Sequence, residues 1–538
     1  MTPPTASPSS GRHVIVTCFI LLLMASSFPA GYAQQQAENP FALGVRNTEP
    51  VSPEEQAKMF HLPPGFRIDL VAAEPQIAKP MNLAFDAQGR LWVSSSQEYP
   101  FPAAEGTAPR DTIRILEDTN GDFRADKVTT FADQLNIPIG LYPWRDGVIC
   151  FSIPNILLIR DTDHDGIGDS REVLYGPFDT TRDTHGMCNA FRRGDDGWVY
   201  ACHGFNNQSV VKGRDGHTVS MASGNTFRFR TDGSRIEHFT HGQVNPFGMA
   251  VDLNGDVLTA DCHTKPITLL LQDGYYESFG KPHDGLGFVP NVMDHLHGST
   301  AIAAIALGQV TAFPDEYQDH SFGGNVMTSR INSNQLQHHG STVRAVEVPD
   351  FLSCDDPWFR PVDIVTGPDG ALYVADFYNR IIGHYEVDLH HPGRDRFRGR
   401  IWRVSYVGEG TATQAGFDVT DLTTRTAPQL VDQLTTVPEV QARLIADRLS
   451  DMTTESERPL SALTALLKSE SPAGRRRALW LLHRFGNATL PMITSACKDS
   501  DTTVRIHGFR VLNATPAVHV AADETAELLK QGMQDPEP

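Results

Sequence analysis

The nine residues DTDHDGIGD, 161–169, set carboxylates at Asp161, Asp163, Asp165 and Asp169, with Gly166 at the turn. Oxygen donors at positions one, three, five and nine around a glycine turn suit a hard cation such as Ca²⁺, and Glu172 stands at position twelve. The preceding NILLIR reads as a strand, so the expected object is a calcium loop within a hairpin, a structural tie and not an ion site between two helices. A second copy, Asp118, Asn120, Asp122 and Asp126, follows the strand TIRIL and carries Phe123 where the first has its glycine. The plainer alternative for both is a solvated acidic turn.

Histidines supply a second set of candidates. They lie in Asp183-Thr-His185, Cys202-His203, Cys262-His263 and Asp294-His295-Leu-His297. Such residues converging on one cavity make an acid–base or metal site; dispersed, they are hydrogen-bonded struts of the fold.

The elements that must position them repeat. FRPVDIVTGPDGALYVADFYN, 359–379, is an apolar strand, a Gly-Pro-Asp-Gly turn and a second apolar strand ending in Asp376. Weaker copies are MNLAFDAQGRLWVSS from Met81, MCNAFRRGDDGWVYACHG from Met187 and PFGMAVDLNGDVLTAD from Pro246. Hairpins recurring about every 50–60 residues mark a radial all-β array. Six phrases, starting near Met81, Pro138, Gly186, Pro246, Ile302 and Pro361, predict an all-β, six-bladed β-propeller over residues 62–407; the fifth matches worst, and seven blades stay open. GRIWRVSY, 399–406, reads as a strand that closes the ring. Beyond a Gly/Thr-rich linker, 408–417, apolar residues recur at helical spacing in LVDQL, VQARLIADRL, LSALTALLK, RRRALWLLHRF and VRIHGFRVL. Residues 418–538 therefore read as a small all-α domain of HEAT-like repeats, whose stacked helix pairs offer a surface for a protein partner.

The N-terminus carries a targeting pattern. Arg12 and His13 precede the apolar run VIVTCFILLLMASSF, and Gly31-Tyr32-Ala33 supplies the small residues before a cut. Residues 1–33 are read as a signal peptide and 34–61 as a polar, loosely held lead-in. The expected location is the periplasm, or the membrane if the leader stays as an anchor. A formal charge of −20 argues against nucleic acid as a partner. Six cysteines follow the leader, none in a Cys-x-x-Cys-His motif, so no covalent haem is expected in this chain. Cys188 and Cys202 fall across one hairpin; a disulfide and two buried thiols are both open.

Two resemblances follow from longer phrases. SPEEQAKMFHLPPGFRIDLVAAEP from Ser52, DPWFRPVDIVTGPDGALYVADFYNRIIGHYE from Asp356 and HPGRDRFRGRIWRV from His391 resemble a planctomycete and verrucomicrobial family labelled as membrane-bound dehydrogenases, which joins a propeller to HEAT-like repeats. More distantly, DTHGMCNAFRRGDDGWVYACHGFNNQ and GNTFRFRTDGSRIEHFTHGQVNPFGMAVDLNG resemble the soluble quinoprotein glucose and sorbosone dehydrogenases, six-bladed propellers that hold PQQ over the channel. That resemblance implies His185 as catalytic base and Asn245, Arg330 and Arg360 as cofactor contacts. Val244 stands where the family pattern has an arginine before the asparagine, and Trp358 where it has a second arginine near Arg360.

The implied function is an exported dehydrogenase of the quinoprotein type, oxidising a sugar or alcohol and passing electrons to a separate cytochrome c. The alternative is a non-catalytic binding protein for polysaccharide or a protein partner. Convergence of His185, Asn245, Arg330 and Arg360 on one channel mouth separates the two.

Overall fold

The computed structural model describes residues 44–278, 287–383, 387–408, 419–452, 454–516 and 522–537. The signal-peptide reading, 1–33, and nearly all of the linker, 408–417, lie outside them. Among the described residues no helix is long and apolar enough to cross a membrane.

The repeated phrases form six radial sheets. Their first strands, lining the channel, are Lys79–Phe85, Leu141–Trp144, Asn189–Arg193, Pro246–Val251, Ile302–Leu307 and Pro361–Thr366, in blades one to six. Each predicted phrase start falls on or within three residues of one of these. Second strands such as Leu91–Ser96, Gly147–Ser152, Val199–His203 and Val257–Asp261 are buried along their whole length, because a blade is covered on both faces by its neighbours. The core accordingly lies in the seams. Trp92, Ile113 and Phe131 of blade one pack on Leu141, Val148 and Ile159 of blade two, and Trp198, Tyr200 and Phe239 of blade three on Met249, Val257 and Leu270 of blade four.

The ring closes differently from the sequence reading. Arg400–Tyr406 is the third strand of blade six, and the outermost strand of that blade is Phe66–Ala73, pairing Phe66 with Tyr406 and Ala73 with Arg400. The N-terminal end of the propeller thus seals its C-terminal end. The lead-in is also held in place from residue 44 onward. Phe60–His61 adds a fifth strand to blade five, the Phe60 ring meets Phe359 and Trp402 edge-on at 5.1 and 5.0 Å, and Arg46 and Gln56 are buried. Gln56 donates to Asp376 at 3.0 Å. Polar composition suggested a loose segment; here the polar side chains are internal hydrogen-bond partners. All six described cysteines, Cys188 and Cys202 included, are buried free thiols.

Helices Ala427–Gln433, Glu439–Ser450, Leu460–Leu466, Pro472–Arg484, Leu490–Cys497, Thr502–Ala514 and Ala522–Gly532 form the second domain. Ser471 and Asp501 cap two of them, accepting from the amides of Gly474 (3.1 Å) and Val504 (3.0 Å). The domain docks on the turns joining first to second strands. Arg484 donates to the carbonyls of Gly194 (2.7 Å) and Asp195 (2.8 Å), Arg443 to those of Val251 and Asp252 (both 2.8 Å), and Arg510 pairs with Asp256 at 2.5 Å. Val440, Arg443 and Leu444 lie over this end of the channel and line a chamber of about 200 Å³. The opposite end carries the strand entrances.

Replacing Arg484 by alanine removes two bonds across this interface and one to Asp447, so the helical domain should melt earlier, as a separate calorimetric transition, with about 1–3 kcal/mol lost. An unchanged single transition would contradict this docking.

Candidate functional site

At the open end of the channel lies a cavity of about 110 Å³, lined by entry and exit loops from around the ring. Its walls are mostly apolar: Met81, Phe247, Val326, Val362, Phe377 and Ile382 among them. The polar groups are few, and His185, Asn245, His263, Thr300 and Tyr99 supply them.

His185 sits in the loop entering blade three. Buried Asn207 shapes that loop, accepting from the Asp183 amide at 3.2 Å and donating to the Asp183 carbonyl at 2.7 Å. Thr184 Oγ1 ties it to the Pro100 carbonyl of blade one at 2.7 Å. Within this frame Nδ1 of His185 bonds the Asp183 carboxylate, and both side chains are 9% exposed. The next residue must be small: a Cβ on Gly186 would meet Asn245 Oδ1 at 3.0 Å. Gly204, just past the strand Val199–His203, is under a harder constraint, since its Cβ would fall on the Gly186 carbonyl.

Asn245 and His263 are set by one group. The buried carboxylate of Asp261, at the end of the second strand of blade four, accepts from the amides of Val244 (3.1 Å), Asn245 (3.4 Å), His263 (2.9 Å) and Thr264 (3.3 Å). Asp376 does the same in blade six, accepting from the amides of Arg360 (2.8 Å) and Tyr378 (2.9 Å) and from Trp402 Nε1 (3.3 Å); burial raises its pKa to about 6. Burial likewise pushes the Cys262 thiol and the Tyr99 phenol well above their ordinary values, so neither is an anionic nucleophile at neutral pH.

The remaining predicted contacts do not reach the cavity. Arg330 pairs with Asp350 at 2.6 Å, its side chain half exposed. Arg360 is fully buried; its guanidinium donates to the carbonyls of Val326 (2.5 Å) and Asn379 (3.0 Å), and burial beside Arg46 holds its pKa well below the ordinary value. Arg46 bonds the Met327 carbonyl at 2.6 Å, so the two arginines fix a stretch of cavity wall from behind. His203 joins the Ser223 carbonyl and Ser209 Oγ, both at 2.8 Å, while His295 and His297 share Asn334 Oδ1 at 2.7 and 2.9 Å. Both sets are struts away from the cavity.

PQQ carries three carboxylates and requires cationic partners. Among the described lining residues there is no Arg or Lys, and burying three anions against this wall would be strongly unfavourable. The described residues do not fit it. Deeper in the channel Arg192 of blade three reaches Asp363 of the facing blade six at 3.2 Å, a pair already made.

The two acidic loops are structural copies of each other. In each, the first carboxylate accepts from the amides at positions five and six: Asp161 from Asp165 (3.1 Å) and Gly166 (2.9 Å), Asp118 from Asp122 (3.3 Å) and Phe123 (2.7 Å). Both hold their last carboxylate on a threonine hydroxyl at 2.9 Å, Thr162 with Asp169 and Thr119 with Asp126. Each clips onto the preceding blade, through Gly168 N to Phe131 O (2.7 Å) and Ala125 N to Val71 O (2.8 Å). Phe123 adopts φ +70°, matching +93° at Gly166, with the Arg403 guanidinium stacked 3.9 Å from its ring centre. Carboxylate oxygens of Asp161, Asp163 and Asp169 lie within 4.8 Å of one another. Asp165 accepts from the Ile167 amide at 2.8 Å, Asn120 from Asp122 (3.0 Å) and Asp122 from Arg124 (2.8 Å). Glu172 departs from its predicted ligand role: the chain continues as the strand Ser170–Tyr175, which carries it out to an ion pair with Arg214.

The fold is a six-bladed propeller with a cavity at one channel mouth and a helical domain docked at the other end. The chain belongs to the family described as Domain of unknown function (DUF7133), which matches residues 52–408; HEAT repeats match residues 460–538. No curated protein matches the chain. Similar solved structures include a glucose dehydrogenase (15% identity, 63% of this chain and 99% of that one, TM-score 0.43). Another is the PQQ-bound aldose sugar dehydrogenase from Streptomyces coelicolor (14%, 64% and 100%, 0.39). A third is a calcium-binding protein, regucalcin, from Agrobacterium tumefaciens (12%, 65% and 98%, 0.37). Likeness at this level says nothing of activity.

Asp261→Asn leaves one acceptor oxygen where four amides converge. It should cost about 1–3 kcal/mol in denaturant unfolding and broaden the amide signals of Asn245 and His263. Unchanged stability with unchanged signals would refute the clamp.

Proposed function

We propose that the chain is a dehydrogenase that oxidises a hydroxyl of an uncharged sugar or alcohol in the channel-mouth cavity. The observation that carries this reading is the Asp183–His185 pair in a cavity that is otherwise largely apolar. With Nδ1–H directed at the carboxylate, the imidazole keeps the tautomer whose Nε2 accepts a proton, and Asp183 stabilises the imidazolium as it forms. The substrate O–H bond yields its proton to Nε2 while the carbinol C–H bond yields hydride, leaving a carbonyl product. The oxidising equivalent comes from a two-electron acceptor of the quinone class, and the uncharged described walls suit one without carboxylates. The sequence resemblance around His185 supports the same role for it. The two acidic loops are read as calcium ties between neighbouring blades, outside the reaction.

Dye-linked oxidation of aldoses, polyols and simple alcohols tests the reaction, run with uncharged quinones and separately with PQQ plus Ca²⁺. Turnover with an uncharged quinone is expected, and His185→Ala should lower kcat by about 10²–10⁴-fold with substrate affinity little changed. Sugar binding without turnover by any acceptor would instead support the non-catalytic binding protein.

For the loops, Ca²⁺ at about 100 times its Kd adds about 2.7 kcal/mol to stability. EDTA should lower Tm, Ca²⁺ should restore it, Asp161→Ala should weaken the response, and Asp118→Ala added to it should abolish the response. A Tm indifferent to both reagents would leave plain acidic turns.

A further inference from the structure

We propose that the hydroxyl of Tyr99 is the donor that the channel-mouth cavity offers to the carbonyl oxygen of an uncharged quinone. The part this contact plays in turnover rests on the dehydrogenase reading; the contact itself does not.

Tyr99 follows the second strand of blade one, Leu91–Ser96, and its loop is fixed on both sides. The Tyr99 amide donates to Ser96 Oγ at 2.9 Å, and Ser96 Oγ donates in turn to the buried Asp111 carboxylate at 2.8 Å. Arg396 holds the carbonyls just before it, those of Gln97 (2.9 Å) and Glu98 (2.8 Å). Just after it, the Pro100 carbonyl accepts from Thr184 Oγ1, in the loop that carries His185. The ring is set as well, edge-on to Phe377 with centroids 5.3 Å apart.

The hydroxyl is not committed in this way. Tyr99 is partly exposed and lines the cavity, and its hydroxyl is neither enclosed nor hydrogen-bonded to any described residue. Asp183, which holds His185, and Cys262 of the cavity wall are both near enough to act on the phenol electrostatically. Burial first, and the Asp183 charge after it, keep the phenol protonated far above neutral pH, so it is a standing donor.

A donor of this kind suits an oxygen that only accepts. A carboxylate or phosphate would need a cation beside it, and the described lining residues include no Arg or Lys. A quinone oxygen has no proton of its own and depends on the wall for one, while Met81, Phe247, Val362 and Phe377 suit its ring. In the reaction proposed above, hydride carries two electrons from the carbinol carbon to the quinone, and negative charge collects on a quinone oxygen. A donor already oriented at that oxygen stabilises the charge as it develops. The proton released by the substrate hydroxyl then joins the same molecule, so the products are one carbonyl compound and one hydroquinone.

Duroquinone, uncharged and methylated at every ring position open to thiols, is the probe, isotope-labelled at its carbonyls. Isotope-edited infrared spectra of the full chain should show a bound carbonyl band below that of duroquinone in an apolar solvent, and Tyr99→Phe should move it back. The variant keeps the ring, so Tm should not change, and duroquinone should bind about 2- to 10-fold more weakly, the share of one hydrogen bond. Any turnover with duroquinone should lose about 10²–10³-fold in kcat. No binding, a band at the apolar-solvent position, or a lowered band that persists in Tyr99→Phe overturns the proposal. A variant that melts well below the wild type would show that the hydroxyl already serves the protein, and overturns it too. A lowered band in a protein that oxidises no aldose, polyol or alcohol would refute the dehydrogenase reading and leave this contact standing; oxidation by duroquinone that Tyr99→Phe leaves unchanged would do the reverse.

Discussion

The architecture depends on how each blade satisfies the amides of the loop that enters it. Where a second strand ends at the channel mouth, the chain must turn, and several N–H groups face inward where water cannot reach them. Buried carboxylates meet that demand: Asp376 in blade six, Asp261 in blade four, and in blade one Asp111, which accepts from the amides of Gln97 (2.6 Å), Glu98 (3.0 Å) and Ile137 (2.7 Å). An ionised carboxylate accepts from four or more donors and donates none, which matches this geometry better than any neutral side chain. The loops fixed by Asp261 carry Asn245 and His263, and the Asn207 frame does for His185 what Asp261 does for them. The site is an outgrowth of the solution to a backbone problem.

The closing of the far end follows similar logic. The first-to-second-strand turns expose carbonyls at Gly194, Asp195, Val251 and Asp252, and arginines of the helical domain take them. Val440, Arg443 and Leu444 of Glu439–Ser450 stand over that mouth, and Arg192 pairs with Asp363 within the channel.

Much of this was legible in the sequence where physics is local. Strand–turn–strand phrases located all six first strands, and the weak fifth match has a cause: between Ile302–Leu307 and His320–Asn325 two short 3₁₀ turns replace the tight Asp-Gly turn. The Asp that ends the phrases at Asp261 and Asp376 was visible as a repeat, though its work as a clamp shows only in three dimensions. Ring closure by Phe66–Ala73 was hidden because its partner lies over 300 residues away. Arg360 shows the limit of motif reading. An arginine at a family position predicts a ligand contact, yet its guanidinium faces main-chain carbonyls behind the wall. His185 and Asn245 line one cavity because neighbouring loops bring them to it. Phe123, which seemed to break the second acidic loop, holds the same left-handed turn because Arg403 covers its ring.

The central claim is that the channel-mouth cavity beside the Asp183–His185 pair takes an uncharged substrate, with charge playing little part. A crystal structure of the protein soaked with an uncharged polyol tests it most directly. Density is expected in the channel-mouth cavity, with a hydroxyl beside the His185 imidazole. Density confined instead to the cleft of about 800 Å³ between Trp198 of blade three and Phe509 of the helical domain, or none at a polyol concentration that saturates binding in solution, would contradict it.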